Sequence, residues 1–519
     1  MIPKLTAPLL CLLPGLALLP VAVVVGQGVH GGGFETWRLF LEGALHPSAD
    51  PLLLRSLWSG VQITLATAFA GWGLSTLFGL LLGIVSSDVV WDSLQLPLQP
   101  APWIRGCLAI PRSVHELLWG LLLLHLAGLH PWVAVAAITI PYGALVARVL
   151  RDQIDSIDRQ SLRAVLQAGS SAPSALLTTL GPPLQPILLS YGGYRLECAF
   201  RSATLLGVFG LGGIGTELKL TLQSLQFNEF WSGLWLVILF SVGLEQLLRL
   251  WRQRQQQTAP SGWDGVIVIT LTLLASLGGS GWLHTLVPDG GVSLQWTMPP
   301  LPNLQDLQSA AAELPWVAMI EQTLRLTLLA SGIAIGLPPL CLLLLPGKTA
   351  KRLLLGLWTL QRVLPAPLTL LMLLLATLPS VALASLALGL QNAGVMGRLL
   401  VEGLDQQSAA REAAIFATGA SRQQSWLLGQ LSPQSCSYLA YGAYRTDVIL
   451  RETVVVGLVG GTGLGWMLIE SLSSFHWAAV MLLLCCFALL TVAGELISDQ
   501  LRQRWLQSPE THLSLRLQS

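Results

Sequence analysis

Long apolar runs, each of the roughly 20 residues a helix needs to cross a bilayer, recur from one end of this chain to the other. A backbone exposed to lipid must satisfy its own hydrogen bonds, so these runs predict helices. The expected spans are 7–26, 56–86, 112–129, 131–150, 187–205 and 229–250, then 265–286, 316–345, 354–378, 380–400, 436–456 and 476–497. The fold class is therefore an all-α membrane protein of about 12 transmembrane helices. The first run, from Met1 to Val25, follows a single early cation, Lys4, as a signal peptide would. It is long for one, has no clean small-x-small cleavage site, and has a counterpart near Val266 to Leu286. It reads as a retained helix.

The connecting stretches carry their cations unevenly. Pro288 to Leu314 has no Lys or Arg, and Gln27 to Leu54 has only Arg38, so both are expected outside. Arg151, Arg159 and Arg163 share one loop, Arg252 and Arg254 the mid-chain linker, Lys348, Lys351 and Arg352 another loop, and Arg502, Arg504 and Arg516 the tail. Cytoplasmic loops carry such excess, which puts both termini in the cytoplasm.

The chain also repeats itself. Tyr191-Gly-Gly-Tyr-Arg195 overlies Tyr441-Gly-Ala-Tyr-Arg445 at an offset of 445 − 195 = 250. The same offset pairs Arg112 with Arg362, Arg148 with Arg398, Gly169 with Gly419, Pro183 with Pro433, Arg201 with Arg451, Gly207 with Gly457, Gly215 with Gly465, Glu245 with Glu495 and Arg252 with Arg502. Chance similarity of apolar sequence does not align polar residues and glycines this way. Residues 1–255 and 256–519 are thus expected as two domains of six helices each, parallel repeats about an axis along the membrane normal.

Composition narrows the class. The 519 residues are 53% hydrophobic and 11% charged with a mean hydropathy of +0.65, against roughly 25% charged in soluble domains. A net charge of +1, with no basic run interleaved with aromatics, excludes a nucleic-acid partner. The seven cysteines lie in or beside apolar stretches without metal-ligand spacing and read as packing residues. No Walker sequence, HExxH or GxSxG is present, so no enzyme class is supported and no metal or cofactor is expected on this chain.

Three motifs carry mechanism. Between the fourth and fifth spans of the second half stands Arg411-Glu412-Ala413-Ala414-Ile-Phe-Ala-Thr-Gly419, followed by Leu431-Ser-Pro433. Its first-half counterpart, Leu162-Arg-Ala164-Val-Leu-Gln-Ala-Gly169 before Gly-Pro-Pro183, keeps the glycine but has leucine for the acid. Glycine allows a sharp helix exit, and Pro433 is expected to limit how the next helix begins. The second motif is Tyr194-Arg195-Leu-Glu197-Cys-Ala-Phe-Arg201-Ser-Ala-Thr leading into Gly207, Gly210, Gly212, Gly213 and Gly215. In the second half, Arg445, Asp447 and Arg451 lead into Gly457, Gly460, Gly463 and Gly465. The third is Arg112-Ser-Val-His115-Glu-Leu-Leu-Trp119.

The first motif resembles the EAA loop of binding-protein-dependent ABC permeases. The other two resemble the phosphonate-importer permease signature, with His115 in place of a proline. The resemblance implies two type I ABC importer permease domains fused in one chain, where the usual family member has one and works as a homodimer. It implies a bacterial inner membrane location, a periplasmic binding protein, and two ATPase subunits docked at Leu162, Ala164, Gly169, Glu412, Ala413, Ala414 and Gly419. ATP and Mg would be used by those subunits, and the degenerate first loop would dock with different contacts. Phosphonate or a related phosphorus oxyanion is the expected cargo, with ferric iron, thiamine or another oxyanion as alternatives.

Ionisable residues inside spans are costly and face the protein interior. Glu197 and Arg201, and again Asp447 and Arg451, stand four apart and share a helix face. Either each pair is an ion lock, or Arg195, Arg201, Arg445 and Arg451 make the path attractive to an anion. The glycine strings lack a strand before them, so tight turns or close helix crossings are expected rather than nucleotide binding. An ion-coupled secondary transporter is the competing class; sensitivity to vanadate or to a protonophore separates the two.

Overall fold

The computed structural model describes residues 3–95, 100–257, 264–287, 302–345, 347–460 and 462–506. Linker residues 258–263, residues 288–301 of the expected outer segment and Arg516 of the tail lie outside them. Among the described residues the elements are helices, joined by one isolated bridge between Val29 and Thr377.

Local chemistry sets many helix starts. Asp50 accepts a hydrogen bond from the Leu53 N–H at 3.1 Å ahead of the Pro51–Val85 helix, with proline at the first position. Ser380 accepts from the Leu383 N–H ahead of Val381–Asp405. The ring of His130 accepts from the Trp132 N–H ahead of Pro131–Ser156.

Each expected span is met by a helix, but not all are straight. Pro8–Gln27, Pro51–Val85, Pro131–Ser156, Phe227–Trp251, Trp316–Leu344 and Trp477–Arg502 are each long and apolar enough to cross a membrane. Three more are bent pairs: Ala101–Ser113 with Glu116–Ala127 at 88°, Ala172–Leu211 with Ile214–Gln223 at 55°, and Thr349–Val363 with Ala366–Leu374 at 96°. The expected spans 112–129 and 354–378 are thus broken. Val114 and His115 are extended in the first, and Pro365 in the second, where the residue before proline avoids helical angles. The remaining expected spans fall on Asp264–Leu286, Val381–Asp405 and Ser432–Gly460, the last with Arg445, Asp447, Arg451 and Glu452 inside it. Length and composition therefore give six to nine spans among the described residues, where about twelve were expected.

Packing divides the chain differently from the boundary at 255. One compact unit is Leu39–Pro299 and the other joins Met1–Arg38 to Pro300–Ser519. In the first, Pro51–Val85 packs on Pro131–Ser156 and on Asp264–Leu286, the helix that opens the second repeat. Gly279 makes the second contact close, since a Cβ there would lie 2.7 Å from Ala70 N. In the other unit, the N-terminal helix packs on Trp316–Leu344 at Gly336, where a Cβ would lie 1.9 Å from Gly15 N. Small residues let helix backbones approach in this way, and in lipid such packing is a main source of association. Each unit therefore contains the opening helix of the other repeat.

Candidate functional site

The two loops expected to dock a partner fold as matching short helices. Gln160–Gln167 ends at Gly169 (φ 87°), whose N–H donates to Leu166 O at 3.0 Å. Ala410–Ala417 ends at Gly419 (φ 88°), whose N–H donates to Phe416 O at 3.0 Å. Left-handed backbone at a helix exit favours glycine, which explains its place in both copies. Ala164, Gly169, Ala413, Ala414 and Gly419 are exposed and Glu412 is half-buried.

The following helices start at once. Ser171 and Ser421 stand at the N-caps, and Ser421 makes a reciprocal capping box with Gln424. Pro183 and Pro433 lie beyond those starts, and Pro183 is inside Ala172–Leu206. Pro183 is thus absorbed well inside its helix, whereas Pro433 is the second residue of Ser432–Gly460, in the first turn where proline is tolerated.

Leucine at 162 has a structural reason. It is 3% exposed, packed with Val89, Val90, Leu150, Ile154, Ala175 and Leu184. The second helix buries no residue fully. It instead lies against a bulge at Leu427–Leu431, where a Cβ on Gly429 would come within 2.7 Å of Glu412 Cα. Phe416 on its outer side is 59% exposed. One helix is anchored by a side chain and the other by backbone proximity. Leu162→Glu, which places the second copy's acid in the first, should therefore destabilise the chain by about 3 kcal/mol or more, through a lost apolar contact and a buried carboxylate. Glu412→Leu should stay within about 1 kcal/mol. Thermal unfolding of the two variants in detergent tests this, and equal shifts would contradict it.

A further pair lies just before each short helix and was missed in the sequence. Asp155 and Asp405 obey the 250 offset and each meets a cation from an earlier helix. Asp155 accepts from Ser87 Oγ at 2.6 Å and lies 3.8 Å from Arg105, which also pairs with Asp88 at 2.6 Å. Asp405 pairs with Lys351. Arg105 and Lys351 do not occupy equivalent positions, so only the acids carried a signal.

The intramembrane charges are held within their own units. Glu197 and Arg201 pair at 3.4 Å. Asp447 pairs with Arg451, which also lies 3.7 Å from Glu495. Arg445 donates from Nε to Asn392 Oδ1 at 2.6 Å and lies 3.8 Å from Glu452, to which Asn392 Nδ2 donates at 2.9 Å. Arg195 donates from Nε to Tyr191 Oη at 2.8 Å, with the rings of Tyr142, Tyr191 and Tyr194 at 4.9, 5.0 and 5.9 Å from its guanidinium carbon. Tyr142 and Ser202 share a hydrogen bond of 2.8 Å, and Ser202 Oγ donates to Glu116 at 2.7 Å. Glu116 and Ser202 belong to the Arg112–Trp119 and Tyr194–Thr204 motifs, whereas Tyr142 and Asn392 lie outside every motif although they obey the offset.

The glycine strings form close crossings. A Cβ on Gly215 would sit 2.0 Å from Thr204 O, and one on Gly465 would sit 2.2 Å from Val454 O. Gly207 meets Gly212 O and Gly457 meets Thr462 O, each at 2.6 Å from a built Cβ. Gly210, Gly212, Gly213 and Gly463 have positive φ, whereas Gly460 does not. Thr64 and Thr323 accept from the N–H groups of Ile214 and Leu464 at 3.0 and 3.1 Å, fixing the start of the helix after each turn. Among the described residues no disulfide and no cluster able to hold a metal occurs.

Known proteins resemble this chain in sequence. The chain is 22% identical over 421 residues to the phosphate-import permease protein PhnE of Mycolicibacterium smegmatis, covering 77% of each chain. It is 29% identical over 185 residues to the phosphite transport system permease protein PtxC of Stutzerimonas stutzeri, covering 35% of this chain and 64% of that one. A third relative, PhnE2 of Escherichia coli K12, named as a candidate cryptic phosphonate transport permease, is 29% identical over 112 residues, covering 22% of this chain and 91% of its own. No family model matches the chain. No solved structure matches it. The first match is longer than one 250-residue repeat, and the other two are shorter. With its membrane-length helices, the chain is thus similar to membrane permease subunits named for phosphate, phosphite and phosphonate transport.

Proposed function

We propose that one copy of this chain forms the whole translocation path of an ATP-driven importer for phosphonate or a related phosphorus oxyanion. The observation that carries the reading is the pair of exposed eight-residue helices, 250 residues apart and each closed by a left-handed glycine. Two such helices on one chain offer a docking point to each of two ATPase subunits. The names of the relatives supply the cargo class. In this reading the short helices and both termini lie in the cytoplasm of a bacterial cell, beneath its inner membrane. A binding protein delivers the anion to the opposite face, and ATP and Mg belong to the ATPase.

Proteoliposomes containing the chain, its ATPase and its binding protein test this. Uptake of labelled methylphosphonate, phosphite or phosphate is expected to need ATP, to stop with vanadate and to survive a protonophore. Uptake driven by an ion gradient without ATP would sink the reading, and uptake of ferric iron or thiamine instead would move the cargo. Native mass measurement is expected to give one permease chain per two ATPase subunits; two chains would refute the stoichiometry.

A further inference from the structure

The two repeats treat the same arginine differently. Arg195 and Arg445 are equivalent, as are Tyr142 and Asn392, Ser202 and Glu452, and Glu116 and Ala366, all at the offset of 250. In the second repeat the acid stands on the arginine's own helix as Glu452. Arg445, Asn392 and Glu452 close a ring of contacts at 2.6, 2.9 and 3.8 Å, and Arg445 is 7% exposed. Its charge is neutralised and its geometry is fixed.

In the first repeat the acid has moved to Glu116, on another helix, and serine occupies the position of Glu452. Glu116 accepts from Ser202 at 2.7 Å and from Tyr142 Oη at 3.4 Å. Among the described residues Arg195 has no carboxylate within ion-pair distance. Three tyrosine rings and the Tyr191 hydroxyl stand against it, with Cys198 nearby and Glu116 near enough to act on it electrostatically without pairing. Aromatic faces attract a cation without cancelling its charge. The Nε–H is spent on Tyr191, and the two terminal nitrogens donate to no described residue. They carry four N–H groups in the planar fork that matches two oxygens of a phosphorus oxyanion.

Of the other arginines in the two charged motifs, Arg201 is paired with Glu197 and Arg451 with Asp447 and Glu495. We infer that Arg195 is the residue through which this permease contacts its anionic cargo, and that Arg445 is its fixed structural counterpart. The inference rests on the cargo reading above. A single guanidinium held by ring faces is a weak site, as a transport path requires, since a tight one would not release the anion.

The test uses the assembled complex in proteoliposomes, with methylphosphonate, phosphite and inorganic phosphate as probes. Arg195→Gln is expected to lower uptake per assembled complex by about tenfold or more, the loss of a charge-assisted bidentate contact, while ATPase recruitment stays normal. Arg445→Gln should lower the yield of complex but leave uptake per complex near wild type. Where Arg195→Gln does not assemble, Arg195→Lys decides: it keeps the cation and loses the fork, so half-saturation should rise several-fold with unaltered recruitment. Wild-type uptake by an assembled Arg195→Gln or, failing that, Arg195→Lys complex overturns this inference alone. A wild-type complex that imports none of the three probes overturns the cargo reading and this inference with it.

Discussion

Gly215→Leu and Gly465→Leu should each abolish recovery of folded permease. A side chain at either position would point into the carbonyl of the preceding helix, with Cβ 2.0 Å from Thr204 O or 2.2 Å from Val454 O. Neither backbone can easily retreat. On the same crossing, Gly207 and Gly457 already approach Gly212 O and Thr462 O, and Thr64 and Thr323 pin the next helix by its first N–H groups. Overpacking a core commonly costs about 1–3 kcal/mol where side chains can adjust. Here backbone would have to move, so the cost should exceed that range and consume much of a stability margin of about 5–15 kcal/mol. Gly210 is the control. Its φ is 96° but no atom lies near a built Cβ, so Gly210→Ala meets only backbone strain of about 1–2 kcal/mol. Yield of monodisperse protein and its thermal transition are the readouts, and a Gly215→Leu chain that melts like wild type would contradict the crossing.

Much of the architecture was legible because membrane helices announce themselves by length and apolarity, properties local to the chain. The 250 offset made the glycine crossings and the two short helices visible as pairs. What failed was everything that depends on which face of a helix meets which neighbour. In a segment apolar on all sides, hydrophobicity does not mark the buried face. Nothing local therefore shows that the N-terminal helix packs with Trp316–Leu344, or that Asp264–Leu286 packs with Pro51–Val85. The bends near His115 and Pro365 were hidden for a related reason: an apolar run reads as one span even when extended residues divide it. Leu162 looked like a lost acid until its burial was seen. One partner each of Arg195 and Arg445, Tyr142 and Asn392, lies 53 positions away on another helix, a separation no motif spans.

Removing Arg451 alone should be among the most damaging changes to a charged residue in this chain, and removing its partners with it should largely restore stability. Asp447 is 5% exposed and paired with Arg451, so Arg451→Met leaves a buried carboxylate without its cation, at a cost of about 3–5 kcal/mol. The i, i+4 spacing of Asp447 and Arg451 makes Arg451→Met with Asp447→Leu a charge-neutral double change. The structure adds Glu495, 3.7 Å from Arg451, so that double change also takes a cation away from a second acid. Glu495 has an 18% exposed side chain, which makes its loss of Arg451 less costly than that of Asp447. The expected order of stability is therefore the single change lowest, the double intermediate, and the triple with Glu495→Gln close to wild type, because an ion cluster replaced whole by uncharged groups loses desolvation cost along with attraction. Thermal unfolding of the three variants reads this order. Transport then separates packing from path: with Arg195 as the contact for the anion, the assembled triple variant should import methylphosphonate near the wild-type rate. A triple variant as unstable as Arg451→Met would show that the cluster has partners beyond these, and a stable triple that cannot import would return Arg451 to the path.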